Sequence, residues 1–302
     1  MHKFLRAIGF SKINRDDIKD LVLTSVKKND TRGYTMSLDD VMLAEFSKDV
    51  GEGIGITAAG TFSEDDLFHT DYYFPYLKGT GITSTEDVSV ERHAARDSYA
   101  GICDDVRLGM SLIFYVQNKI PYISAQVSGK LPIKGTTLTL SGLSIKGTII
   151  LPSEKGNPDE ATDNLRKVER YRLMKSAKGG NEDAIEELTM QDMDMYSEVS
   201  RRIGHEDLYS IVYTSIMPYG VECDQYNVLG EIVKVRRIRN NISDEEVCIL
   251  TLLVNDLTFD VAINIMDLLG EPKPGRRFKG IVWLQGRINY PSDDEDDAEP
   301  LG

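Results

Sequence analysis

The stretch RRFKGIVWLQGRINY, Arg276 to Tyr290, decides how the last third of the chain is read. At period two, Phe278, Gly280, Val282, Leu284, Gly286, Ile288 and Tyr290 share one face, while Arg277, Lys279, Ile281, Trp283, Gln285 and Arg287 share the other. The first is a core face, and its two glycines suit a bend or close backbone approach where a barrel closes. The second interleaves three cations with the only tryptophan of a chain whose formal net charge is -14. Such a segment is expected to be a strand with one buried side and one side available for contact.

Upstream of it lie VLGEIVKVRRI, EEVCILTLLV and LTFDVAIN, apolar runs with strand character, the last two joined at Asn255 and Asp256, and then NIMDLLG, read as a short helical segment. This arrangement is similar to an OB-type barrel, a fold that often binds single-stranded nucleic acid, with four strands counted where that barrel has five. Between residues 156 and 203 the sequence is charged and helical. Thr189 and Asp192 are placed like a capping box, and Met193, Tyr196, Val199 and Ile203 follow at helical spacing, as core packing would require.

The N-terminal half also begins helical and ends in strands. Asn14 precedes Asp16 and Asp17, a capping pattern with negative charge in the first turn, and Ile18, Leu21 and Val22 supply one apolar stripe. From Tyr34 to about Pro152, GIGITAAGTF, MSLIFYVQN, PYISAQV, GTTLTLSGL and SIKGTIIL are separated by turn residues and read as a mainly antiparallel sheet or barrel. The segment LPSEKGNPDEATDN then reads as a linker. The expected fold class is therefore α+β with two domains: residues 1–155, a helical segment followed by a sheet, and residues 156–290, a helical segment followed by an OB-like barrel. Residues 291–302, with DDEDDAEP, read as a disordered acidic tail.

No enzymatic signature survives inspection. GEGIGITAAG lacks the spacing and the following helix of a nucleotide loop. Cys103, Cys223 and Cys248 form neither a disulfide framework nor a zinc pattern, and Cys223 lies between Glu222 and Asp224, which oppose a thiolate. His2, His69, His93 and His205 are scattered without metal-ligand spacing. No cofactor, no catalytic residue and no metal site is expected, and no segment reads as a membrane span or signal peptide, which places the protein in the cytoplasm.

The stretches MHKFLRAIGFSKI, MPYGVECDQYNVLGEI and GEPKPGRRFKGIVWLQGRINYP together make the chain resemble a family of uncharacterised clostridial proteins known as a domain of unknown function. That resemblance implies a bacterial cytoplasmic origin and carries no activity. The residues themselves single out Arg277, Lys279, Trp283 and Arg287, with Arg237 and Arg239 from VKVRRIR, as a partner-binding face. The plainer account of the same residues has Trp283 and Ile281 packed under the other domain and the cations paired with carboxylates such as Glu231, Asp244 and Asp260. The leading expectation is a non-catalytic binding or assembly module with a protein or peptide partner. Single-stranded nucleic-acid binding through the barrel and an enzyme with a site in the interdomain cleft are the alternatives.

Overall fold

Asn14 Oδ1 accepts from the backbone N–H groups of Asp16 and Asp17, both at 2.9 Å, and starts α1 (Arg15–Lys27) as its sequence requires. Ahead of it, Lys3–Ile8 forms a 3-10 helix that buries Phe4, Leu5, Ala7 and Ile8. The computed structural model describes residues 2–92, 98–108, 110–151, 160–203 and 208–291. Within them the protein is a mixed α+β molecule.

The first sheet is an antiparallel meander of β1 (Thr31–Met36), β2 (Met42–Gly51), β3 (Ile54–Phe62) and β4 (Phe68–Leu77). Of the glycines of GEGIGITAAG, Gly51 and Gly53 serve its β2–β3 turn, where Gly53 has φ 73°, while Gly55 and Gly60 lie within β3. β5 (Val88–Arg92), β6 (Tyr99–Cys103) and β7 (Leu112–Val116) form a second meander. PYISAQV, expected as a strand, is instead most of α2 (Lys119–Val127). Pro121 lies in its first turn, where a missing N–H removes no helical hydrogen bond, and Ile120 and Ile123 turn inward. GTTLTLSGL and SIKGTIIL are one continuous strand, β8 (Thr137–Ile150).

After β8 come α3 (Glu160–Lys178) and α4 (Glu182–Ile203), an antiparallel pair, and the short α5 (Leu208–Ile211). β9 (Ser215–Pro218) pairs with β10 (Gln225–Arg239), which continues into β11 (Glu246–Val254) and β12 (Leu257–Asn264). The β11–β12 turn is at Asn255 and Asp256, with φ of 47° and 65°, the positive values that a two-residue hairpin turn of the tightest type needs. NIMDLLG contributes only a three-residue 3-10 turn, Ile265–Asp267, and then β13 (Leu268–Leu269). The last strand is β14 (Arg277–Asn289).

Five of these strands close into a barrel. β10, β11 and β12 form a meander, β12 pairs in parallel with β8, β8 runs antiparallel to β14, and β14 returns antiparallel to β10. The fifth strand of this barrel, residues 137–150, lies on the N-terminal side of the boundary expected near residue 155. Of the stretch LPSEKGNPDEATDN read as a linker, residues 160–164 are instead the start of α3, and residues 152–159 lie outside the described residues, as does the tail at 292–302.

The barrel wall has two apolar sides, and that property organises the molecule. Inside are Phe278, Val282, Leu284 and Ile288 of β14 with Leu138, Leu140, Leu250, Phe259 and Val261. Outside, Leu143, Ile249, Ala262 and Trp283 face a second core completed by the N-terminal 3-10 helix, α1 and the first sheet. The expected glycine role on β14 holds: a Cβ on Gly286 would come within 2.3 Å of the Phe114 ring, so only glycine lets that ring reach the barrel wall.

Candidate functional site

The six residues expected to form one partner-binding face are not gathered on an exposed surface. Trp283 is 5% exposed. Its indole Nε1 donates to Asp224 Oδ2 at 2.6 Å, and its ring lies 5.2 Å from Phe4 and 5.3 Å from Tyr115. Alternation did send it outward from the barrel, but the outward side is covered by the N-terminal helix and the first sheet. Arg277 is 2% exposed, and its Nη1 donates to the carbonyls of Tyr209, Val212 and Tyr213 at 2.6, 3.2 and 3.3 Å. Three carbonyls at the end of α5 converge on one guanidinium, so this cation closes a helix C-terminus.

The remaining four lie at the surface. Lys279 donates to the Tyr209 hydroxyl, and Arg287 is exposed. Arg237 pairs with Glu246 at 3.3 Å and Arg239 with Asp244 at 3.0 Å. The plainer account of these cations and the indole fits better: Asp244 is one of the carboxylates it named, and Asp260 lies 3.9 Å from Arg236.

Beneath Trp283 runs a buried polar chain. Tyr115 and Tyr72 share a hydrogen bond, the Tyr72 hydroxyl accepts from Lys119 Nζ at 2.6 Å, and Lys119 Nζ lies 3.9 Å from Glu45 Oε1. Burial pushes the Glu45 carboxyl up to about 7 against the opposing pull of Lys119. That Oε1 has no hydrogen-bond partner. Glu45 and Lys119 are both buried, so the pair acts on the packing between the first sheet and α2.

A solvent-facing apolar stripe lies instead on the helical pair. α4 starts earlier than expected: Asn181 Oδ1 accepts from Ala184 N–H at 3.0 Å, and Thr189 is mid-helix, its hydroxyl donating to the Ile185 carbonyl at 2.7 Å. Ala184, Leu188, Gln191 and Val199 form the inward stripe. Arg170 of α3 reaches across to Asp192 at 2.6 Å and ties the two helices together. The outward side carries Ile185, Met190, Met193 and Tyr196, exposed by 47, 62, 65 and 75%.

Met193 and Tyr196 are therefore not core residues as their spacing suggested. α4 has two apolar stripes, and helical periodicity alone does not say which one is covered. The signal that separates them is the carboxylate density around the second stripe, from Glu182, Asp183, Glu186, Glu187 and Asp194. Where α3 and α4 approach the β6–β7 connection there is a cleft of about 400 Å³, with Met110, Met174 and Leu188 on its walls and Asp104, Arg170 and Lys178 at its rim. Lys178 Nζ donates to the Asp104 carbonyl at 3.1 Å across it.

The residues considered for chemistry are dispersed. Burial pushes the Cys103 and Cys248 thiols up to about 11 each, away from the thiolate a nucleophile requires. Cys223 is exposed, and its neighbour Asp224 is engaged by Trp283. His2 packs 4.7 Å from the Trp283 ring, His69 is exposed on β4, and His93 and His205 lie outside the described residues. Among the described residues, no group of three or more His, Cys, Asp or Glu side chains is placed to hold a metal, and no helix is long and apolar enough to cross a membrane.

No curated protein and no solved structure matches the chain. A family model does match, over residues 5–286, from within the N-terminal 3-10 helix to Gly286 near the end of β14. The chain belongs to the family described as a domain of unknown function, DUF3881, named from an E. rectale gene description.

Proposed function

We propose that the protein is a non-catalytic binding module in which a rigid barrel and its packed sheet present the α3–α4 pair to a protein or peptide partner. The observation that carries this reading is the outward stripe of α4. Ile185, Met190, Met193 and Tyr196 are 47 to 75% exposed on a helix whose opposite side packs through Ala184, Leu188, Gln191 and Val199 and leaves Met195 55% exposed. A scattered exposed apolar residue needs no explanation, but four on one side of one helix form a contact surface. Methionine suits that role because its unbranched thioether adapts to the shape of what it meets.

The barrel is OB-like in this reading, with a permuted start. A three-strand meander, a parallel step and two antiparallel pairings close it, and the strand that would come last in the usual order, β8, comes first. Nucleic-acid binding through that barrel is the weaker reading, because stacking needs an accessible ring and Trp283 is covered.

Panning the intact protein against a displayed random-peptide library tests the assignment. Enriched peptides are expected to lose binding when Met193→Asp and Tyr196→Asp are combined. Peptides that bind the double variant unchanged would move the contact away from α4 and end the reading.

A further inference from the structure

We infer that the α4 surface receives a basic amphipathic helix, an inference that rests on the binding-module reading and names its partner by chemistry. At 100° per residue, Ile185, Tyr196, Met193 and Met190 fall within roughly 140° of the helix circumference, enough for a neighbouring helix to pack along them. On the same wheel Glu182 and Glu186 fall within that arc and Asp183, Asp194 and Glu187 follow beyond one edge of it, all exposed. An apolar stripe lined by carboxylates complements one lined by lysines and arginines, and helix-on-helix docking of this kind is a common mode of peptide recognition.

The other occupants fit worse, each for a reason of charge. None of the segments outside the described residues holds more Lys and Arg than Asp and Glu, so the chain has no cationic segment of its own there to lay on α4. A second copy would bring the same carboxylates against their equals, in a chain already at net charge -14. An anionic membrane surface is repelled by the same residues. A separate helix with a Leu or Ile stripe and flanking cations meets both requirements at once.

The test uses the full chain and a labelled helical peptide of Leu and Lys, about 18 residues or five turns long. Its controls are a peptide of the same composition in alternating order and one with Glu for Lys. Only the first peptide is expected to bind, as read by fluorescence anisotropy. Met193→Glu with Tyr196→Glu adds negative charge but removes apolar contact, and is expected to weaken binding at least about tenfold. Glu186→Lys with Asp194→Lys is expected to weaken it too. Glu64→Lys with Asp65→Lys, the same charge change in the exposed β3–β4 turn, is expected to leave it unchanged.

Unchanged or tighter binding by the Met193→Glu, Tyr196→Glu protein would reduce the effect to general attraction between polyions and overturn the inference. So would sedimentation that shows a self-associated protein dissolved by those substitutions, with no peptide bound. Library peptides that depend on Met193 and Tyr196 but carry no excess of cations would leave the module standing and remove the basic partner.

Discussion

Arg277 is 2% exposed, whereas Arg287, ten positions along the same strand, is open to solvent. Residue type could not separate them, because what distinguishes them is the end of α5 arriving beside one and not the other. Glu45 and Lys119 raise the same issue with a measurable consequence. The folded-state pKa of Glu45 lies near 7, above the ordinary 4.5, so its contribution to stability is fully present below about pH 4.5 and is lost as pH rises through about 7. Lys119 opposes that loss. In Lys119→Met the carboxyl has no counter-charge. The destabilisation measured by urea titration is therefore expected to be greater at about pH 8 than at about pH 5, by roughly 1–3 kcal/mol. An equal effect at both pH values would mean that Glu45 does not ionise against Lys119.

Among the elements, α1 and the strands of the barrel meander were legible because each states itself locally, through a cap at Asn14, two-residue alternation, and a turn at Asn255 and Asp256. α2 was not, since PYISAQV is short and apolar enough for either state and only its place in the fold chooses helix. α4 was legible as a helix and misleading as to its exposed side. The N-terminal 3-10 helix is the least legible, for its few residues give little periodicity, yet it seals the outer barrel wall. Gly9 follows it at φ 92°, Asn240 Nδ2 donates to the Ile8 carbonyl at 2.8 Å, and Arg6 pairs with Asp267 at 2.6 Å. Phe4 stacks on Trp283. Phe4→Ala is expected to cost about 3–5 kcal/mol and to shift the emission of the single tryptophan to longer wavelength, as water reaches the indole. Emission that stays at its original wavelength would show that the ring is screened by other groups.

At the scale of the whole molecule, the two halves are joined by more than a linker. β8 pairs with β12 and with nearly the full length of β14, so a barrel built from residues 156–290 alone has an open seam where Leu138, Leu140 and Leu143 belong. Neither residues 1–155 nor 156–302, expressed separately, is expected to show a cooperative thermal transition, and mixing them from denaturant is expected to restore one. A sharp transition from the second fragment by itself would show that four strands suffice. A change of composition near residue 155 was readable in the sequence, but the pairing of β8 with β12 and β14 across it was not. A parallel pairing between distant segments leaves no local mark in either one.

The order of these strands along the chain has a consequence during synthesis. β8 emerges from the ribosome about 140 residues before the end of β14, a delay on the order of ten seconds at ordinary elongation rates. Until β12 follows, about 110 residues later, that long apolar ribbon has neither of its final neighbours, and nascent chains stalled between β8 and β12 should be rich substrates for chaperones that recognise exposed strand edges.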